Sequence, residues 1–240
     1  MKLRARNGAG AFTVPEILVS ICIMAILLSL TLPVIAGARK AGRRSATEST
    51  LRQHLAIFEL YVQDYRQFYP WFGSPTDGLL TIQLPLSAPV RFPYFFLSEL
   101  WPLPMADYYG GLLRHPSQSY PGRSGGSLYM YSCAMMADPA FWNLRTRGTP
   151  DQWRATKPSE VIYPSRKALL VAAIDTQPFP RQVVDGVTFG FCDGSVKFAL
   201  KSELAEPIGP GDGPHAGVCH VRGYYGLDTT NGVRGWDTLR

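Results

Sequence analysis

A long apolar stretch near the N-terminus constrains this chain more than any other feature of its sequence. Twenty consecutive residues, Ile17 to Ala36, carry no charge. As an α-helix they would measure roughly 30 Å, which is the thickness of a bilayer's hydrocarbon core. A helix that is apolar on every face is rare in a soluble domain, because it must be surrounded by apolar groups. The stretch therefore predicts a membrane-spanning helix.

Basic residues flank the stretch on both sides, as is usual for a membrane segment. They are Lys2, Arg4 and Arg6 before it, and Arg39, Lys40, Arg43 and Arg44 after it. The formal net charge of the 240-residue chain is +6, and removal of the first three basic residues would lower it to +3. The positive charge therefore gives little support to nucleic-acid binding.

A cleaved secretory signal is the main alternative to a retained helix. Such a signal combines a basic start, about 7–15 apolar residues and a small-x-small cleavage site, and Ala36-Gly37-Ala38 offers such a site. The apolar stretch is longer than a signal requires, however, and the acidic Glu16 at its boundary has no function in one. We therefore favour a helix that stays attached.

The residues before the helix carry a family resemblance. Phe12-Thr13-Val14-Pro15-Glu16 followed by an apolar helix closely resembles the N-terminus of type IV pilins and of type II secretion pseudopilins. In that family a membrane peptidase removes a short basic leader, and the new N-terminal residue, commonly Phe, is methylated. A Glu stands at the fifth position of the mature chain. The resemblance thus implies cleavage between Ala11 and Phe12, N-methylation of Phe12, and Glu16 at position five.

One further position matches the pilin signature, and two positions depart from it. Pro33 falls at mature position twenty-two, where pilins commonly carry a helix-bending proline. The residue before the cut is usually Gly, but here it is Ala11, and Gly10 stands one place earlier. Position four is usually aliphatic, whereas here it is Pro15, which the first turn of a helix tolerates.

The carboxylate of Glu16 requires a partner if it enters the bilayer. An isolated charge in hydrocarbon is expensive, so a cation or a proton must compensate it. The resemblance implies that the cation is the α-amino group of Phe12 on a neighbouring subunit. The alternative is a Glu that stays in the headgroup region, close to water.

A second helical pattern follows the basic cluster. Apolar side chains recur at intervals of three and four residues, which is typical of an amphipathic helix; they are Leu51, Leu55, Phe58, Val62 and Tyr65. We expect one helix from about Thr13 to Gln67, with His54 at its surface or boundary. Leu51-Arg52-Gln53 and Tyr61–Tyr65 also resemble a stretch in a large bacterial group of pseudopilin-like proteins.

The remainder of the chain predicts strands and turns. Short aliphatic and aromatic runs bounded by Gly, Pro and Asp are expected strands; they are Ser127–Cys133, Ala168–Ile174 and Val187–Phe191. Asp193-Gly194 predicts a tight hairpin turn, and FCDGSVKF resembles a hairpin near the end of the same pseudopilin-like proteins. We expect Pro70 to Gly126, which is Pro-rich and aromatic, to be a loop-rich insertion that packs on the core.

Catalytic and metal-binding patterns are weak. Gly122–Gly126 fits G-x-S-x-G, but a strand-like run follows where a nucleophile elbow needs a helix. His215–His220 offers three metal ligands in one Gly/Pro-rich loop, without a second cluster. Cys133, Cys192 and Cys219 show no CxxC spacing, and their pairing stays open.

The C-terminal tail could supply oxygen ligands. Asp228, Asn231 and Asp237 fall within ten residues, and Ca²⁺ prefers oxygen ligands on a flexible loop. The tail loosely resembles the calcium-binding loop of major pseudopilins. No cofactor is expected unless this tail binds calcium, and the spacing alone does not establish such a site.

Together these observations predict an α+β protein with a long N-terminal helix packed on an antiparallel β-sheet domain, as in pilins. Residues 1–11 would be a leader, 12–36 the transmembrane and assembly helix, 37–69 its amphipathic continuation, and 70–240 a periplasmic β-rich globular domain. The protein would be a single-pass protein of the bacterial inner membrane.

The expected function is structural rather than enzymatic. The resemblance implies a pilin-like subunit or pseudopilin of a type II secretion pseudopilus or a type IV pilus-like filament. Its partners would be the prepilin peptidase/methyltransferase, other pilin or pseudopilin subunits and an inner-membrane assembly platform, and not nucleic acid. The alternative is a membrane-anchored or secreted extracytoplasmic enzyme or metal-binding protein that uses the loop from His215 to His220.

Overall fold

The structure, a computed structural model, has an α+β architecture. It describes residues 13–71, 73, 78–82, 89–110, 129–148, 150–172, 186–208 and 225–239. A 51-residue helix, α1, runs from Val14 to Asp64, and the strands pair antiparallel in two sheets. The expected α+β class is confirmed. Helix α1 is one continuous element, as the two consecutive helical patterns predicted.

Helix α1 ends in a left-handed turn. Arg66 and Gln67 have positive φ angles of 54° and 64°. The Gln67 N–H donates to the Val62 carbonyl at 2.8 Å, which is the six-residue hydrogen bond of a Schellman motif. Pro70 follows shortly afterwards and cannot continue a helix. These local features explain why the helix ends three residues before Gln67.

The chain divides into two compact units, Met1–Ala46 and Thr47–Arg240. In the second unit, the α1 side chains of Leu51, Leu55, Phe58 and Val62 are buried in the core, as their periodicity predicted. Tyr65 was expected in the same stripe but is half exposed, and that part of the prediction is wrong. Since α1 ends at Asp64, Tyr65 lies beyond the helix.

His54 is buried rather than at the surface. Only 2% of the residue is exposed, and its Nδ1 lies 2.7 Å from the Tyr109 hydroxyl. The rings of Trp101, Tyr109 and Tyr129 surround it edge-on, with centroids 5.0–5.7 Å away. The predicted surface position is therefore wrong, because an aromatic cluster from distant segments covers this part of the helix.

The main sheet has four antiparallel strands in the order β3-β4-β5-β6. They are β3 (Tyr129–Tyr131), β4 (Ala168–Ala172), β5 (Gly186–Phe191) and β6 (Val196–Leu200). Strands β4 and β5 are buried along their whole length, because Leu, Val and Phe side chains face the core on both sides. The three expected strand regions are confirmed within the described residues, where Ser132 and Cys133 lie outside β3.

The Asp-Gly turn joins β5 to β6 as predicted. The Gly194 N–H donates to the Phe191 carbonyl at 3.0 Å, and the Phe191 N–H donates to the Ser195 carbonyl at 2.8 Å. Gly194 has a φ of 82° and supplies the left-handed residue that the turn requires. Asp193 Oδ1 accepts bonds from the Ser195 N–H and hydroxyl, at 2.9 and 2.6 Å.

The segment expected to be loop-rich contains its own elements. A second sheet pairs β1 (Leu79–Ile82) with β2 (Val90–Pro93), and a short helix α2 covers Leu97–Leu100. Tyr94, Phe95 and Trp101 of this segment are buried in the core, and Tyr108 and Tyr109 are partly buried against it, which confirms the expected packing on the core. Trp101 Nε1, for example, donates to the Tyr129 carbonyl at 2.6 Å.

Two cysteines in the described segments carry free thiols, Cys22 and Cys192. Cys133 is disulfide-bonded, and its partner lies outside the described residues. The chain therefore contains a disulfide, which the spacing of its cysteines left open.

Candidate functional site

The N-terminal end of α1 is capped by side chains of its own first residues. Thr13 directly precedes the helix, and its N–H and hydroxyl both donate to Glu16 Oε2 at 2.8 Å. The Ile17 N–H donates to the Thr13 carbonyl at 3.2 Å. Thr-x-x-Glu is the sequence signature of a capping box, in which the Glu accepts a bond from the backbone of the capping residue. The motif TVPE therefore caps the helix.

This local bond gives Glu16 a function that the sequence analysis missed. A capping carboxylate stabilises the N-terminus of a helix, where the backbone N–H groups lack partners and the helix dipole is positive. The signal was present in the sequence as Thr13 three residues before Glu16, with Pro15 in the first turn. Capping and pairing with a neighbouring amine are compatible, since a carboxylate accepts several hydrogen bonds.

The apolar part of α1 exposes its side chains on every face. Fourteen large apolar side chains are between 46% and 75% exposed. They are Val14, Ile17, Leu18, Val19, Ile21, Ile23, Met24, Ile26, Leu27, Leu28, Leu30, Leu32, Val34 and Ile35. Within the described residues, α1 is the one helix long and apolar enough to cross a membrane. Such a surface requires lipid or other apolar helices around it.

The few polar groups of this stretch are satisfied inside the helix. Ser20 Oγ donates to the Glu16 carbonyl at 2.8 Å, Ser29 Oγ donates to the Ile26 carbonyl at 2.7 Å, and Thr31 Oγ1 donates to the Leu28 carbonyl at 3.2 Å. Hydroxyls that bond their own backbone can enter hydrocarbon without leaving an unpaired donor. The hydroxyls therefore do not conflict with the membrane-spanning prediction.

Of the remaining predicted assembly and processing residues, the structure describes only Pro33. Pro33 lies inside α1, so the helix continues through a residue that supplies no backbone N–H. Gly10, Ala11 and Phe12, which define the expected cleavage site, lie outside the described residues. Cleavage and methylation stay predictions.

The three candidate calcium ligands are not equivalent. Asp237 is 3% exposed, and its Oδ2 lies 2.9 Å from Lys167 Nζ. Asp228 is also buried, and its negative charge faces Arg147, whose pKa is lowered by burial. Asn231 Oδ1 instead accepts a bond from Asn143 Nδ2 at 3.2 Å. The calcium site stays a prediction. To bind Ca²⁺, Asp237 would have to give up its contact with the Lys167 ammonium.

The described residues contain no group of three or more His, Cys, Asp or Glu side chains that could hold a metal ion. The loop His215–His220 and the Gly122–Gly126 motif lie outside those residues. The enzyme or metal-binding alternative therefore gains no supporting cluster in the part of the chain that the structure describes.

A groove lies beside the end of α1. It has a volume of about 780 Å³, and its lining is mainly aromatic, with Tyr61, Tyr65, Phe68, Tyr69 and Trp71. Tyr61 and Tyr65 stack with their ring centroids 4.1 Å apart. Nothing in its lining indicates a particular ligand.

Sequence reasoning also missed a buried ion pair. Lys167 is completely buried, and it contacts both Asp237 and Thr229. No periodicity or motif joins these residues, because they come from the start of β4 and from the C-terminal tail. The one available signal is a lysine directly before the apolar run of β4, where a charged side chain is uncommon.

Compared with known protein families, with curated proteins and with solved structures, the chain gives no match in any of the three.

Proposed function

We propose that this chain is a pilin-like structural subunit or pseudopilin. Processing by a prepilin peptidase/methyltransferase would remove residues 1–11, leave a methylated Phe12, and permit assembly through the N-terminal helix into a type II secretion pseudopilus or type IV pilus-like filament. The observation that carries the proposal is a capped helix, α1, that begins next to the expected cleavage site and exposes apolar side chains on every face.

The exposed apolar side chains of α1 fit two environments that the chain would occupy in turn, a membrane and a filament. In a membrane, its apolar side chains face lipid tails. In a filament, the same side chains pack against the helices of other subunits, since apolar surface is buried equally well by either. A single anchor would serve in the first environment alone, and it would not require the Phe12–Glu16 spacing.

The disulfide of Cys133 supports an extracytoplasmic globular domain. Disulfides persist in oxidising compartments such as the periplasm and are rare in the cytoplasm. The proposal therefore places the domain on the periplasmic side of the inner membrane, with an assembly platform and other subunits as partners.

The Glu16→Gln variant tests the assembly step. Gln can still accept the hydrogen bond that Thr13 donates to Glu16 Oε2, so the cap of α1 survives while the charge is lost. We expect helix content to stay unchanged and subunit association to fall roughly tenfold or more, since the neighbour's α-ammonium would be left unpaired in hydrocarbon.

Cys22 provides the measurement, because its thiol is free and exposed on the apolar helix. Thiol crosslinking of copies in the membrane should yield multimers for the parent chain and few for Glu16→Gln, with Cys192 replaced by Ser in both. Ser20→Ala is the matched control, since its hydroxyl bonds only within the helix. Equal crosslinking of the parent and Glu16→Gln would refute pairing through Glu16.

A further inference from the structure

The buried ion pair between Lys167 and Asp237 is connected through a threonine. Lys167 Nζ lies 2.9 Å from Asp237 Oδ2, and the two side chains are 0% and 3% exposed. Thr229 Oγ1 accepts a hydrogen bond from Lys167 Nζ and donates one to Asp237 Oδ1. The Ala168 N–H donates to Asp237 Oδ2 at 2.8 Å. An amine, a carboxyl group, a hydroxyl relay and an amide donor thus meet at one buried point.

Backbone hydrogen bonds hold Lys167 and Asp237 in place. The Lys167 N–H donates to the Tyr163 carbonyl at 2.9 Å, and the Lys167 carbonyl accepts from the Cys192 N–H at 3.0 Å. The Asp237 N–H donates to the Arg166 carbonyl at 2.8 Å. Groups held in contact react with effective concentrations of about 10⁵–10⁸ M when their geometry is favourable. The fold therefore supplies the positioning that a condensation between two side chains requires.

The environment favours a neutral product over an ion pair. Two charges taken out of water lose their hydration, and their mutual attraction often fails to repay that loss. Cys192 lies close to the pair, but burial raises the pKa of its thiol to about 12, so it adds no charge. A neutral amide in the same place would remove both charges and keep the oxygen as an acceptor for the Ala168 N–H.

We propose that Lys167 and Asp237 form an intramolecular isopeptide bond after folding. Thr229 passes a proton from the lysine ammonium to Asp237 Oδ1, which leaves a neutral amine and a neutral carboxylic acid. Nζ then attacks Cγ, while the Ala168 N–H stabilises the negative charge that develops on Oδ2. The C–Oδ1 bond breaks, Oδ1 takes a second proton from Nζ, and one water leaves. No oxidant, reductant or further reactant is needed.

The bond would secure the C-terminal tail to the main sheet. Lys167 directly precedes β4, whereas Asp237 belongs to the tail, which also contacts Leu204 through a bridge to Thr238. A crosslink restricts the unfolded chain and so stabilises the folded domain, as a disulfide does. Unlike a disulfide, an amide resists reducing agents. The inference holds whether or not the chain assembles into a filament.

Mass spectrometry of the full chain tests the bond directly. After reduction and alkylation, the intact mass should be about 18 Da below that of the same chain without the bond, because one water is lost. Trypsin should then fail to cleave after Lys167, and residues 167–181 should appear joined to residues 235–240. Separate peptides 168–181 and 235–240 in place of the joined species would refute the proposal.

Peptide mapping also excludes a trivial loss of water. An aspartyl succinimide at Asp193-Gly194 has the same mass change, but it leaves Lys167 open to trypsin, and a loss that maps there would overturn the proposal. The exposed pair Lys197–Glu203, with 3.8 Å between Nζ and Oε1, is the internal control and should stay unlinked.

Two variants identify the reacting atoms. Lys167→Met should abolish the mass loss. Asp237→Asn should form the same amide with release of ammonia, so that the loss changes from about 18 to about 17 Da. An unchanged 18 Da loss in Lys167→Met would refute the assignment. If that variant fails to fold, the tryptic map of the parent chain still decides the question.

Discussion

At the scale of single residues, the polar side chains of this protein act through short and specific contacts. Arg154 is the clearest case in the globular unit. Its Nη2 lies 2.7 Å from Asp138 Oδ2 and 2.7 Å from Glu160 Oε2. Glu160 also accepts a bond from the Lys157 N–H at 3.0 Å, so one carboxylate joins a guanidinium to a backbone turn.

The Glu160 carboxylate predicts a pH dependence of stability. Its hydrogen bond from Arg154 lowers its pKa below the ordinary value. Because the folded pKa is the lower one, the stabilisation is complete above the unfolded pKa of about 4.3 and is lost as the pH falls through the folded pKa. We expect Glu160→Gln to lower the free energy of unfolding by about 1 kcal/mol at pH 7, and by less at pH 3.

Urea unfolding followed by tryptophan fluorescence would measure both values. Glu203→Gln is a matched control, since Glu203 faces the exposed Lys197 across 3.8 Å and should change stability by less than about 0.5 kcal/mol. A Glu160→Gln effect that is the same at both pH values would contradict the assignment.

Residue-scale contacts were the hardest to predict from sequence. His54 follows the buried Leu51 by one helical turn, yet its position gave no indication that Trp101, Tyr109 and Tyr129 would cover it. The Lys167–Asp237 contact likewise joins residues far apart in the chain, and only the completed topology brings them together. The Glu16 cap could have been predicted, because its partner Thr13 lies three residues away.

At the scale of elements, local sequence rules worked well. The helix α1 follows from an apolar stretch and a 3–4 stripe, and the β5–β6 hairpin follows from Asp193-Gly194. The exception in the stripe was Tyr65, where the Schellman turn ends the helix before the periodicity does. Elements governed by neighbours in sequence were thus predictable, while the short elements between Pro70 and Gly110 were not, because tertiary packing determines them.

Substitution of two glycines distinguishes the cost of backbone strain from the cost of a steric clash. Gly194 has a φ of 82°, and an added Cβ would meet no atom within 4 Å. Gly226 has a φ of 79°, but its Cβ would lie 2.5 Å from Phe189 Cε1 and 3.0 Å from Val171 Cγ2. We expect Gly194→Ala to destabilise by about 1 kcal/mol and Gly226→Ala by about 3 kcal/mol or more.

Thermal unfolding of the two variants would test this difference. Their shared left-handed conformation makes each the control for the other, so the difference between them reports on contacts with Phe189 and Val171. Equal losses of stability would show that the packing around Gly226 accommodates a methyl group.

At the scale of the whole molecule, the chain combines an exposed apolar helix with a globular unit that has its own core. The core of Thr47–Arg240 is built from α1 residues after Ala46, the four-stranded sheet and the aromatic cluster. The unit begins within α1, because the amphipathic part of the helix contributes its buried stripe to that core.

This organisation predicts that a fragment from Thr47 to Arg240 folds without a membrane. We expect it to be a monomer with a single cooperative unfolding transition, since the fourteen exposed apolar side chains lie before its start. Expressed in an oxidising compartment, it should carry one free thiol, at Cys192, because Cys133 is disulfide-bonded.

Sedimentation analysis and a thiol titration of the denatured fragment would measure these properties. The full chain without detergent is the natural control and should aggregate. A fragment that aggregates equally, or that unfolds without a transition, would show that the helix before Thr47 is part of the fold.

We propose above that residues 1–11 are a leader and that α1 is an assembly helix. Mass spectrometry of the N-terminal peptide, from protein extracted from bacterial membranes that contain a prepilin peptidase, tests it most directly. We expect a chain that begins at an N-methylated Phe12. A chain that begins at Arg39 would instead show a cleaved secretory signal and would contradict the pilin-like function.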